Sequence, residues 1–199
     1  LYANTTAANN TAVGKSALTA NTTGTNNAAL GANALDANTT GGDNTGLGRS
    51  ALGQNTTASY GTAVGYEALA ANTTGASNTA VGRTALTANT TGANNTALGM
   101  TSLLSNTTGA RNTAAGKDAL FTNITGTDNL GIGEAAGYYT TGSGNITIGA
   151  RNNSGTFVPA SNITSQNNYI SMGHTSITNA FVKVAWTVTS DARDKSNFA

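Results

Sequence analysis

The sequence predicts an all-β chain wound as a parallel β-solenoid, and two observations carry that prediction. The first is a repeat of seventeen residues, in which Gly14, Gly31, Gly48, Gly65, Gly82, Gly99, Gly116 and Gly133 stand in strict register without insertion. The leucines Leu18, Leu35, Leu52, Leu69, Leu86, Leu103 and Leu120 keep the same step. So do Asn21, Asn38, Asn55, Asn72, Asn89, Asn106 and Asn123, each followed by Thr-Thr or, at the last, Ile-Thr. Register of this kind marks a repeat architecture, in which each unit stacks on its neighbours. The second observation is local. Each unit holds glycines, threonines and asparagines, all poor helix formers. Its short Thr-Ala-Val-Gly and Ala-Leu-x-Ala runs suit brief strands, and the Asn and Gly residues between them suit tight corners.

The elements follow in order. Residues 1–136 form the array. Residues 137–168 read as a degenerate repeat and loop: Gly137, Tyr138 and Tyr139 fall where the Leu and Asn of another unit belong, and Asn145 to Gly149 is a shifted echo. The only proline, Pro159, lies in this loop. Residues 169–199 read as a β-rich neck, with a dense β-branched and aromatic stretch through Phe181, Val182, Val184, Trp186 and Val188. The large apolar residues of one coil are Val13 and Leu18 and their equivalents. Two such side chains do not offset the ordering of seventeen backbone residues, so several chains sharing an apolar seam are expected.

Composition narrows the function. Of 199 residues only 9% are charged and the net charge is +1, which gives no basic excess for nucleic acid. Cysteine is absent and His174 is the sole histidine, so no disulfide, thiolate site or multi-histidine metal site is expected, and no cofactor. No apolar run approaches the roughly 20 residues of a membrane helix. The chain opens at Leu1 inside a repeat-like phrase, LYANTT, and reads as a piece of a longer gene product. The acidic residues Asp36, Asp43, Glu67, Asp118, Asp128 and Glu134 hold no single repeat position, so no carboxylate row points to glycoside hydrolysis. Gly131, Gly133 and Gly137 are not followed by Gly-Lys-Ser/Thr and form no phosphate loop.

The phrase NTAVG, recurring with ALxANTTG, resembles the head repeats of trimeric autotransporter adhesins and related repeats of phage tail fibres. The resemblance covers roughly two thirds of the chain, and it departs in length, since the adhesin repeat is usually shorter than seventeen residues. It implies a left-handed β-roll assembled as a homotrimer. A second resemblance lies in Ser190-Asp191-Ala192-Arg193-Asp194-Lys195, which is similar to the junction opening the self-cleaving intramolecular chaperone of phage fibres and endosialidase-type tailspikes. It implies cleavage of the precursor beside Ser190 and Asp191, with Ser190 as nucleophile and Lys195 as the base that takes its proton. The alternative is a solvated charged tail. Together these resemblances imply a non-enzymatic tail-fibre segment, on the virion or otherwise extracellular, that attaches to host-surface polysaccharide or lipopolysaccharide. A bacterial trimeric adhesin or secreted fibril is the runner-up, and a polysaccharide-cleaving tailspike the third reading.

Two surface patterns have alternative readings. Asn21, Asn38, Asn55, Asn72, Asn89 and Asn106 each begin an N-x-T glycosylation sequon; stacked in register, they would instead form a hydrogen-bonded ladder up one corner. A basic residue follows the array glycine in every second unit, at Lys15, Arg49, Arg83 and Lys117. At strand spacing these charges lie about 10 Å apart, near the Debye length. They make either a weak cationic stripe for acidic glycan or simply a spacing that keeps like charges apart.

Overall fold

The computed structural model describes residues 2–149 and 164–172. Ten three-residue strands run through them: β1 Thr11–Val13, β2 Ala28–Leu30, β3 Thr45–Leu47, β4 Thr62–Val64, β5 Thr79–Val81, β6 Thr96–Leu98, β7 Thr113–Ala115, β8 Leu130–Ile132, β9 Ile146–Ile148 and β10 Ile170–Met172. They form one parallel sheet in chain order, and the described residues contain no helix. Thr11 pairs with Ala28, and the seventeen-residue offset holds up to the pairing of Thr113 with Leu130. The chain is a parallel β-solenoid with one strand per coil.

One strand per coil corrects the expectation of two. The Ala-Leu-x-Ala run is a continuous turn, because its leucine takes a left-handed backbone: φ is 52° at Leu18, Leu35, Leu69 and Leu86. Left-handed backbone costs a residue with a Cβ roughly 1–2 kcal/mol. Here it swings the leucine side chain inward, where all seven are fully buried. The turn stays tied to the stack, since Leu18 N–H donates to the Ala34 carbonyl at 3.0 Å and each later leucine repeats the bond.

The inward leucine dictates what the strand can carry at its centre. From β2 to β8 the middle residue of the strand points inside, and it is Ala29, Ala63, Ala80, Ala97 and Ala114, all buried, or glycine at Gly46 and Gly131. A Cβ on Gly131 would lie 2.9 Å from the Leu120 Cγ, so the space is already filled. Period-two alternation then sends the flanking residues outward. Val13 is accordingly 54% exposed and Leu30 50% exposed, not core as expected. The core of the single chain is leucine over alanine.

Two buried asparagine columns close the remaining corners. In the Asn-Thr-Thr column, Asn38 donates one amide hydrogen to Asn21 Oδ1 at 2.8 Å and the other to the Gly41 carbonyl at 3.0 Å. The pattern climbs through Asn55, Asn72, Asn89 and Asn106 to Asn123. The second column is the residue before each strand. Asn27 Oδ1 accepts from Asn44 N–H at 3.0 Å, and the Asn27 amide donates to the Gly41 carbonyl at 2.9 Å.

The stack does not end at residue 136. Gly137 stands in the leucine position of the next coil, and that coil is one residue shorter, so Leu130 pairs with Ile146. Phe121 and Tyr138 stack above one another there, ring centroids 4.8 Å apart and 3° from parallel. Thr140 Oγ1 is the one buried side-chain oxygen left without a hydrogen bond among the described residues. Ile170 pairs in parallel with Ile146, so the start of the expected neck is a further rung of the same sheet. The stretch from Phe181 to Val188, and Pro159, lie outside the described residues.

Candidate functional site

Because every coil repeats the last, a functional surface here is a column of equivalent residues, and each column can be judged by exposure and partners. The Asn-Thr-Thr corner is inward at its asparagine and outward at its second threonine. Asn21, Asn38, Asn55, Asn72, Asn89 and Asn106 are buried, and from Asn38 upward both amide hydrogens are committed within the protein. N-glycosylation needs a reachable amide nitrogen, and at these positions it faces the interior. The first threonine of the pair also serves the stack: Thr22 Oγ1 donates to the Thr39 carbonyl at 3.0 Å, and Thr39, Thr56, Thr73 and Thr90 repeat the bond.

The outer face of the sheet carries two columns. One is mostly threonine, with Thr45, Thr62, Thr79, Thr96 and Thr113 in succession. The other is apolar, with Val13, Leu30, Leu47, Val81, Leu98, Ile132 and Ile148 all exposed. Beside the apolar column runs the glycine column, whose backbone is held at φ of +116 to +141° from Gly14 to Gly133. A Cβ on Gly65 would sit 2.5 Å from the Gly82 carbonyl oxygen, so glycine is the only residue that lets successive coils approach here.

The basic residues after that glycine column do share one edge, but they are not a free cationic stripe. Arg49 lies over the Tyr66 ring at 5.0 Å, donates to its hydroxyl at 3.2 Å and stands 3.6 Å from Glu67. Lys117 is 3.4 Å from Asp118 and 3.6 Å from Glu134. Lys15 and Arg83 have no carboxylate at ion-pair distance among the described residues. The hydrogen bond from Tyr66 to Glu67 raises the tyrosine pKa above its ordinary value, which keeps the hydroxyl protonated beside the carboxylate. On another exposed edge Arg111 grips Asp128 with two hydrogen bonds, of 2.6 and 2.9 Å, and this holds the aspartate below the usual carboxylate range.

A concave surface interrupts the array. On the turn face, the position after the core leucine is Thr19, Asp36, Gly53, Ala70, Thr87, Leu104, Phe121 and Tyr138 in successive coils. Where it shrinks to Gly53 and Ala70 an open cleft of about 330 Å³ forms, edged by Asp36, Glu67, Asn33 and Gln54. Burial raises the pKa of Asp36 above its ordinary value. The acidic residues otherwise remain scattered, and no group of three or more His, Asp or Glu side chains converges on a metal position among the described residues. No helix among them is long and apolar enough to cross a membrane.

Ser190, Asp191 and Lys195, together with His174, lie outside the described residues. No protein family, curated protein or solved structure matches this chain. Sequence reasoning missed two features. The second asparagine column was written in the first letter of each NTAVG phrase, and its interruption at Gly61 hid it; Gly61 N–H still donates to Asn44 Oδ1 at 2.8 Å. The cleft was visible only as Gly53 and Ala70 in a variable position.

Proposed function

We propose that the chain is a shaft or receptor-binding segment of a phage tail fibre, a homotrimer that gives reach and attachment to host-surface polysaccharide or lipopolysaccharide. The observation that carries this reading is the exposed apolar column from Val13 to Ile148 on the flat strand face. Single exposed apolar residues are ordinary, but a row of them, here broken only at half-buried Val64 and Ala115, marks an interaction surface. The row lies beside backbone that carries no side chains, so other copies can approach closely. A closed ring of three copies buries it on every chain, whereas an open arrangement leaves one seam bare. The segment is structural and not an enzyme; Ser190 and Lys195 would act only in self-cleavage of the precursor. Location on the virion, or otherwise outside a cell, follows from that role.

Native mass spectrometry of the protein from its source tests the assembly. A trimer whose chains end near Ser190 is expected. The double substitution Val81→Asp with Leu98→Asp, which places six carboxylates in the trimer seam, is expected to give monomers. A larger polymer, or chains carrying repeated sugar-sized mass increments, would instead favour a secreted fibril or adhesin. Attachment has its own test. Neutralising Lys15, Arg49, Arg83 and Lys117 together tests the stripe, and weaker retention on an acidic glycan matrix would support it. Unchanged retention would remove the stripe from the attachment surface.

A further inference from the structure

We propose that the cleft over Gly53 and Ala70 is a binding site for a sugar ring bearing a free amino group. The cleft exists because the sequence departs from its own repeat. The same position carries Asp36 and Thr87 in the coils on either side and Thr19, Leu104, Phe121 and Tyr138 farther off, so the array tolerates bulk there. Only across two adjacent coils is the side chain reduced to hydrogen or methyl, which leaves a smooth floor able to take the carbon face of a ring.

The walls decide the chemistry. Asp36 and Glu67 accept hydrogen bonds and donate none when ionised. Asn33 and Gln54 add amides, Ser50 and Thr87 add hydroxyls, and the lining contains no basic side chain. Such a rim favours a ligand rich in donors. The two carboxylates are not equivalent. Glu67 already has Arg49 at 3.6 Å, whereas Asp36 has no cation at ion-pair distance among the described residues. A partly desolvated carboxylate without a counter-charge gains most from an ammonium group. The volume, about 330 Å³, is at the small end of ligand sites and suits one or two rings.

The cleft is formed by turn residues and not by the strand face, so a copy docked on the apolar column leaves this surface separate. The proposal rests on the attachment reading only for its biological setting. Its test is independent of assembly: titration calorimetry of the whole protein with a glucosamine oligomer and with the fully N-acetylated oligomer of the same length. Binding of the free-amine oligomer is expected, weaker by about tenfold or more for the acetylated one. Asp36→Asn is expected to produce a similar loss. Gly53→Thr introduces the residue that the same position carries at Thr19 and Thr87 and fills the cleft, so it is expected to abolish binding with oligomeric state and melting temperature unchanged. Should that variant misfold, Ala70→Thr fills the same space from the next coil. Equal binding of both oligomers, binding that survives Asp36→Asn and cleft filling, or no binding of either oligomer would overturn the proposal. Loss of the trimer with binding retained would sink the assembly reading and leave the cleft standing.

Discussion

Replacing Asn89 with leucine is expected to destabilise the solenoid by roughly 2–6 kcal/mol, the cost of leaving two buried polar groups without partners. Asn89 donates to Asn72 Oδ1 at 2.8 Å and to the Gly92 carbonyl at 2.9 Å, and its own oxygen accepts from Asn106 at 2.8 Å. Leucine removes all three bonds. The Gly92 carbonyl keeps a second donor, the Asn78 amide at 2.7 Å, so the orphaned groups are Asn72 Oδ1 and one Asn106 hydrogen. Thr91→Val, two residues away and exposed, is expected to change stability by less than about 0.5 kcal/mol. Urea unfolding of the two variants measures the contrast, and equal effects would show that the ladder is decoration. Asn89→Asp adds a pH signature. Its second oxygen would face acceptors, so the buried carboxyl would titrate above its unfolded value. The penalty is therefore absent in acid, below the unfolded pKa, and grows as pH rises towards the folded one. The variant should melt closer to the parent at pH 3 than at pH 7.

Gly82→Ala is expected to break the stack in two, whereas Gly75→Ala is expected to be tolerated. Space alone does not separate them. A Cβ on Gly82 would lie 2.5 Å from the Gly99 carbonyl oxygen, and one on Gly75 would press on the Gly92 carbonyl oxygen still more closely. The difference is backbone. Gly82 sits at φ of +138°, a region barred to residues with a Cβ, and its neighbours above and below are held the same way. Gly75 has no such constraint, and the equivalent place in the row directly below it is filled by Ala58, which is buried and still accepts from Asn55 at 3.0 Å. The fold has thus already accommodated a methyl group there. Limited proteolysis should cut Gly82→Ala near the substitution and leave Gly75→Ala intact. Cleavage of both, or of neither, would refute the backbone argument.

These two cases also mark what was legible in the sequence. Period, glycine column and asparagine ladder follow from identity at fixed spacing, because a stacked coil places like on like. The inward direction of Leu18 also came through, since one large apolar residue per coil must go somewhere dry. The conformation of its backbone did not. Leucine rarely adopts φ near +52°, and no local preference announces it; the coil imposes it to close the turn. That single unforeseen dihedral turned an expected second strand into a bend. It also filled the interior so fully that only Ala12 and its equivalents fit beneath, and Val13 was left facing outward. The cleft was illegible for a different reason. A variable position declares nothing until its neighbours across the coil are known, and Asn33, Ser50 and Glu67 meet Gly53 only once the chain is wound.

The unvarying offset from Thr11 to Leu130 has a consequence for how such a gene can change. Any deletion or duplication of one whole unit leaves every surviving residue above an equivalent one, and alters the length of the body by about 4.8 Å. A change of any other size shifts the register, as the sixteen-residue coil from Leu130 to Ile146 does, and there the Asn-Thr-Thr ladder stops at Asn123 while the second column carries on from Asn129 to Asn145. Recombination between near-identical units can therefore lengthen or shorten the rod in even steps without inventing a new contact. The chain behaves as a ruler whose graduations are written in its own DNA.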